Sequence, residues 1–112
     1  LAVASTLHVL ALVLVSQGEM AEAEQELTRS LAIREAHLEG TQHVDLAKTL
    51  RDLAGVVRHS DPPRAEHLYR SALVAFEGSF GKNCLASATT MAALGALLGD
   101  LAAAPRMRAR ER

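Results

Sequence analysis

An internal repeat constrains this chain more than any other feature. Setting "VASTLHVLALVLVSQGEMAEAEQELTRSLAIREAHLEG" over "LAKTLRDLAGVVRHSDPPRAEHLYRSALVAFEGSFG" matches Ala4 with Ala47, Thr6 with Thr49, Leu7 with Leu50, Leu10 with Leu53 and Ala11 with Ala54. A one-residue deletion in the turn then brings Ala23-Glu24 onto Ala65-Glu66, Leu27 onto Tyr69, Ser30 onto Ala72 and Leu31 onto Leu73. A third copy begins at "LASATTMAALGALLGD", where Ala88, Thr90, Met91, Leu94 and Gly95 take the same slots. The period is about 41 to 43 residues. A period of that length marks a supersecondary unit that buries its apolar face on neighbouring copies of itself.

The repeat also decides what the apolar opening "LAVASTLHVLALVLVSQG" is. A secretory signal needs a basic segment ahead of its apolar run and small residues at a cleavage site, and a spanning helix needs about 20 apolar residues. Here no Lys or Arg precedes Leu1, His8 interrupts the run, and Ser16, Gln17 and Gly18 end it. In the second copy the same slot reads "VDLAKTLRDLAGVVRHS", with Lys48, Arg51, Asp52 and Arg58, so it is an amphipathic helix and not a membrane element. The missing initiator Met suggests a chain cut from something longer.

Much Ala and Leu, three aromatics and three Pro favour helix over sheet. The spacing predicts helices over about 2–16, 20–38, 44–58, 63–77 and 85–98. Gly18 breaks the first, Glu39-Gly40-Thr41 the second and "HSDPP" the third, with Asp61 placed to cap the fourth and Pro62-Pro63 fitting its first turn. "GSFGKN" is expected to be the loop after the fourth helix. Leu46, Leu50, Leu53 and Val57 share a face with Ala54, and the next helix offers Ala65, Leu68, Tyr69, Ala72 and Leu73. Small residues at Ala54, Ala65 and Ala72 let two backbones approach while larger neighbours interlock. The expected fold is all-α, a helical hairpin array of about five helices, with repeats over about 2–43 and 44–84 and a half-repeat over 85–104. Residues 105–112, "PRMRARER", are expected to be a basic, disordered tail, because Pro105 arrives too soon for a sixth helix.

At these residues the chain resembles a known family. Small residues at Ala11, Ala23 and Ser30, large ones at Leu7, Leu10 and Leu27, and a turn between two helices look like the tetratricopeptide repeat. The longer period, with "TLHVLA", "AEQELTRSLAIREAHL" and the linker "HVDLAKTL", is similar to the kinesin light chain subclass. Armadillo and HEAT helices share the period range but do not predict the Ala-Glu pair opening the second helix or "SLAIRE" near its close. The resemblance covers about residues 2–100 and implies a right-handed α-solenoid fragment that acts as a non-catalytic, cytoplasmic scaffold. In it, the first helix of each pair lines a concave groove for a peptide or partner helix.

In the family pattern paired Asn residues of "NNLA" help hold peptide backbone; here those positions are His8-Val9, Arg51-Asp52 and Ala92-Ala93. The candidate groove residues are Ser5, His8 and Leu12 on the first helix and Lys48, Arg51, Asp52, Arg58 and His59 on the third. Basic residues beside an apolar strip suit an acidic peptide with an apolar or aromatic anchor, as the subclass resemblance implies. The competing account is a solvated helix face, with Leu12 and Val15 packing on an upstream repeat.

Other chemistry is weakly signalled. The five His are scattered, and neither H-E-x-x-H nor a Cys-His cluster occurs, so no metal or cofactor is expected. His43 is expected to make a local structural contact, and "GSFG" has neither the context of a nucleophile elbow nor the spacing of a phosphate loop. Cys84 cannot form an internal disulfide and is expected to pack as a small residue at the start of the fifth helix. A net charge of −1 gives no general pull toward nucleic acid or anionic membrane. The absence of a convergent acid, base and nucleophile set disfavours an enzyme. An alternative from another class is a regulatory or sensor arm of a larger signalling ATPase. Apolar end faces, on helix one and at Met91, Leu94 and Leu98, are expected to allow self-association.

Overall fold

The structure is a computed structural model that describes the backbone of residues 2–36, 42–81 and 84–111. Five helices follow in order: α1 (Ala2–Ser16), α2 (Met20–Ala36), α3 (Gln42–Val57), α4 (Pro62–Phe80) and α5 (Leu85–Glu111). No strand occurs among the described residues. The fold is therefore all-α, as the repeat requires. The expected break at Glu39-Gly40-Thr41 and the side chain of His43 lie outside the described residues.

Local chemistry sets the turns. After α1, the Gly18 N–H donates to the Val15 carbonyl (3.0 Å) and the Glu19 N–H to the Leu14 carbonyl (2.8 Å). This crossed pair is the Schellman arrangement, which needs a left-handed residue, and Gly18 supplies it at φ +80°. At α4, the Asp61 carboxylate accepts from the Arg64 N–H (3.3 Å), and Pro62 and Pro63 occupy positions whose N–H groups would have no helical partner.

Two boundaries differ from the sequence reading. α4 does not stop at Gly78; it runs on through Ser79 and Phe80 and ends at Gly81, which has φ +88° and donates to the Glu77 carbonyl (2.8 Å). A glycine inside a helix costs only about 1 kcal/mol, so the helix ends where the backbone turns left-handed and not at the first glycine. The backbone of α5 continues past Leu98 and through Pro105 to Glu111. Proline removes one helical hydrogen bond, but the neighbouring Ala, Met, Arg and Glu are strong helix formers.

Packing follows the repeat. α1 pairs with α2 and α3 with α4, while α2 lies on α3 and α4 on α5, so each hairpin stacks on the next. The small residues expected at the crossings, Ala11, Ala23 and Ser30 in the first unit and Ala54, Ala65 and Ala72 in the second, are all fully buried. Leu27, Leu53, Val57, Tyr69 and Phe76 interlock around them in one core. The expectation for α5 is corrected in part. Met91 stands exposed, but Leu94 is buried and Leu98 packs against the core, because α4 already covers the face that carries them.

The close approach is testable. Ala54→Leu or Ala65→Leu should overpack the α3–α4 crossing and destabilise by about 1–3 kcal/mol. The readout is a lower urea midpoint at unchanged m-value, and an unchanged midpoint for both variants would contradict the pairing.

Candidate functional site

Six of the eight candidate groove residues stand on the first helices of the two hairpins, and the other two, Arg58 and His59, fall in the turn after α3, which ends at Val57 and not at Arg58. On α1, Ser5, His8 and Leu12 follow one another at intervals of three and four residues, and on α3 Lys48, Arg51 and Asp52 follow at the same kind of spacing. The structure ties the two arcs together through His8. Its Nε2 stands 2.6 Å from Asp52 Oδ2, and its Nδ1 stands 3.3 Å from Thr49 Oγ1. The Thr49 hydroxyl donates to the Asp45 carbonyl (2.8 Å), so both ring nitrogens face acceptors. Sequence reading places His8 and Asp52 on the same surface; it does not foresee that they bond to each other across the repeat boundary.

That pairing changes the electrostatics of the patch. Asp52 Oδ1 also accepts from Arg51 Nε (3.4 Å), and the Arg51 guanidinium lies 5.6 Å from the centroid of the buried Phe76 ring. Arg51 is therefore committed to Asp52 and Phe76, with part of its charge neutralised. Lys48 and His59 are exposed, and Arg58 is half-buried. Leu12 is exposed on α1. Ser5, also exposed, accepts a long hydrogen bond from Arg34 Nη2 (3.5 Å).

Arg34 is the residue that sequence reading misses. It is buried on α2, where Nε donates to Ser30 Oγ (3.2 Å) and Nη1 pairs with Asp45 Oδ2 (3.3 Å). Ser30 Oγ in turn donates to the Ala4 carbonyl (2.9 Å), so one guanidinium links α1, α2 and α3. The signal was present: Ala23, Leu27, Ser30 and Arg34 recur at helical spacing, which puts Arg34 on the small-residue face.

His59 has a second neighbourhood. With Met20, Ala21, Glu24, Gly55, Val56 and Ser60 it lines a shallow, mostly apolar cleft of about 260 Å³ between α2 and α3. Beside it, Arg64 Nη1 bonds to Glu24 Oε1 (2.5 Å) and joins the starts of α2 and α4.

Cys84 opens α5. The Ser87 N–H donates to its sulfur (3.3 Å), and the two side chains lie 3.0 Å apart. The hydrogen bond from the Ser87 side chain, helped by backbone N–H groups, holds the thiol below its ordinary value. A lowered value means that thiolate persists to lower pH. Iodoacetamide alkylation of Cys84 should accordingly show its midpoint at lower pH than a free cysteine control, and Ser87→Ala should move it upward. Coincident profiles for the wild type and the control would contradict this.

Thr49, His8 and Asp52 superficially form a hydroxyl–imidazole–carboxylate set, but Thr49 is fully buried and its hydroxyl donates to backbone. Among the described residues no three His, Cys, Asp or Glu side chains gather where they could hold a metal ion.

Two stacked hairpins with small residues at each crossing match what a family model detects: a model described as tetratricopeptide repeat matches residues 2–77. The chain belongs to the tetratricopeptide repeat family. No curated protein matches it. Tetratricopeptide repeats generally mediate protein–protein interaction and are generally non-catalytic. The match spans both hairpins of this tetratricopeptide repeat chain, α1 to α4, including the arcs that His8 and Asp52 join. None of its described helices is long and apolar enough to cross a membrane.

Proposed function

We propose that this chain is a non-catalytic, kinesin light chain-like scaffold of the cytoplasm whose α1–α3 face takes an acidic peptide or partner helix with an apolar anchor. The observation that supports the reading is the exposure of Leu12 on α1 and of Lys48 on α3, the first helices of two stacked hairpins. The His8–Asp52 bond holds these two helices together at mid-face. A partner's apolar side chain would desolvate against Leu12 while its carboxylates meet Lys48 and the Arg58 rim. The positions that carry paired Asn in the resembled subclass are here His8-Val9 and Arg51-Asp52, and the polar side chains of His8, Arg51 and Asp52 are mutually engaged. Backbone capture by those positions is therefore reduced, and side-chain recognition carries more of the specificity.

The test is selection from an acidic, Trp-containing peptide library, followed by titration of the selected sequence. Lys48→Glu together with Arg58→Glu should weaken binding by about 10-fold and flatten its salt dependence, and Leu12→Asp should weaken it at every salt concentration. No enrichment over a scrambled library would overturn the reading.

A further inference from the structure

Two basic side chains occupy the same repeat slot on successive first helices, His8 on α1 and Arg51 on α3. One carboxylate spans them. Asp52 Oδ2 stands 2.6 Å from His8 Nε2, and Asp52 Oδ1 accepts from Arg51 Nε over 3.4 Å. The repeat does not require an anion there, because the slot of Asp52 is filled by Val9 on α1 and by Ala93 on α5. Water reaches the pair as well, since the Asp52 side chain is 22% exposed and that of Arg51 34%. A carboxylate held by basic groups at the edge of solvent takes the place that a partner's acidic side chain would take.

We propose that Asp52 is a specificity residue of the acidic-peptide face, a resident carboxylate that an incoming one must displace from Arg51. This role presupposes the function proposed above and names the residue that limits it. The contact to Arg51, at 3.4 Å, is long beside the about 2.7–2.9 Å of a good charge-assisted bond, so the guanidinium is open to a better-placed carboxylate. Asp52 also repels every approaching anion, through a Coulomb interaction that acts over several ångströms and weakens with salt. A single carboxylate therefore gains little at Arg51, because attraction by the cation and repulsion by its resident partner offset each other. A partner with two carboxylates, one for Arg51 and one for Lys48, overcomes the resident anion. Lys48 is exposed one helical turn before Arg51 and Asp52 on α3. The face thus selects dense acidic segments over isolated acidic residues.

The probes are the acidic, Trp-containing peptide enriched from the library and its counterpart with every Asp and Glu replaced by the amide. The chain contains no Trp, so peptide fluorescence reports binding directly. Asp52→Asn keeps the side-chain shape and a hydrogen bond to His8 while removing the charge. It should bind the acidic peptide about 3- to 10-fold more tightly than the wild type, with the gain shrinking as salt rises, and the amide peptide no more tightly. In an Arg51→Gln background the same substitution should gain less than about 2-fold, because the cation it would release is gone. Asp52→Ser is a second neutral variant, and far-UV circular dichroism with the urea midpoint checks that each is folded. Wild-type binding that Asp52→Asn and Asp52→Ser leave unchanged or weaken would overturn the role of Asp52 and leave the acidic-peptide reading standing. An equal gain for the amide peptide, or an undiminished gain without Arg51, would overturn that role too. Enrichment of acidic sequences on neither the wild type nor Asp52→Asn would overturn both.

Discussion

Leu53→Ala is expected to destabilise the chain by about 2–5 kcal/mol, while Leu10→Ala, at the same position of the preceding repeat, costs less than about 1 kcal/mol. The two residues share a chemical identity and a repeat slot, so propensity and pattern predict equal effects. Burial separates them: Leu53 is 0% exposed and Leu10 is 46% exposed. Truncating Leu53 removes apolar contacts in the shared core and leaves a cavity that close-packed neighbours cannot fully collapse. Truncating Leu10 removes little that water has not already reached. Urea denaturation of both variants at a concentration where the chain is monomeric measures the difference directly. Equal midpoint shifts would mean that α1 and α3 sit in equivalent surroundings.

The second large effect centres on Arg34. Its side chain is 7% exposed and that of its ion-pair partner Asp45 is about half exposed, so the pair straddles the edge of the core. Removing one member of a buried pair costs about 3–5 kcal/mol because the other charge is stranded, whereas replacing the buried ion by an apolar group of similar shape is often close to neutral. Asp45→Ala should thus cost about 1–3 kcal/mol, below the fully buried range because water reaches the vacated side. Arg34→Met should cost less than Asp45→Ala, since it removes the charge and keeps an apolar stem against Ser30 and Ser5. The double variant should be no worse than Asp45→Ala alone. Additive losses in this cycle would contradict the stranded-charge account.

Arg34 also shows where sequence reading stops. Cap and turn chemistry is local, so the roles of Gly18, Asp61, Pro62 and Pro63 could be read directly and agree with the structure. The small residues at each crossing could be read as well, because the two repeats corroborate each other at Ala11 and Ala54 and at Ser30 and Ala72. Arg34 carries a charge, and a charge is ordinarily placed in water; its burial depends on Ser30, Ser5 and Asp45 arriving from three helices. The His8–Asp52 bond escaped for the same reason, since residues 44 apart meet only after one hairpin has stacked on the next. Leu94 is a different case. The expectation that it is uncovered considered the absent second helix of its own unit and overlooked α4, whose outer face already takes that side of α5.

For the candidate site, spacing indicates the residue types along α1 and α3; it does not show how their charges are paired. Arg51 looks like a free cation in sequence, yet it lies over Phe76 and bonds to Asp52, its own neighbour in the chain. A patch read from composition thus has less unpaired positive charge than its residue count implies. In the proposed reading, recognition therefore rests on Lys48 and the apolar surface of Leu12 more than on Arg51.

The central claim is that partners bind the face shared by α1 and α3. Its most direct measurement is an amide chemical-shift map recorded while an acidic, Trp-containing peptide is titrated into the isotope-labelled chain. The account predicts saturable shifts at Ser5, His8, Leu12, Lys48, Arg51 and His59, lost together in the Leu12→Asp variant. Shifts confined to the outward faces of α2 and α4, or none at saturating peptide, would contradict it.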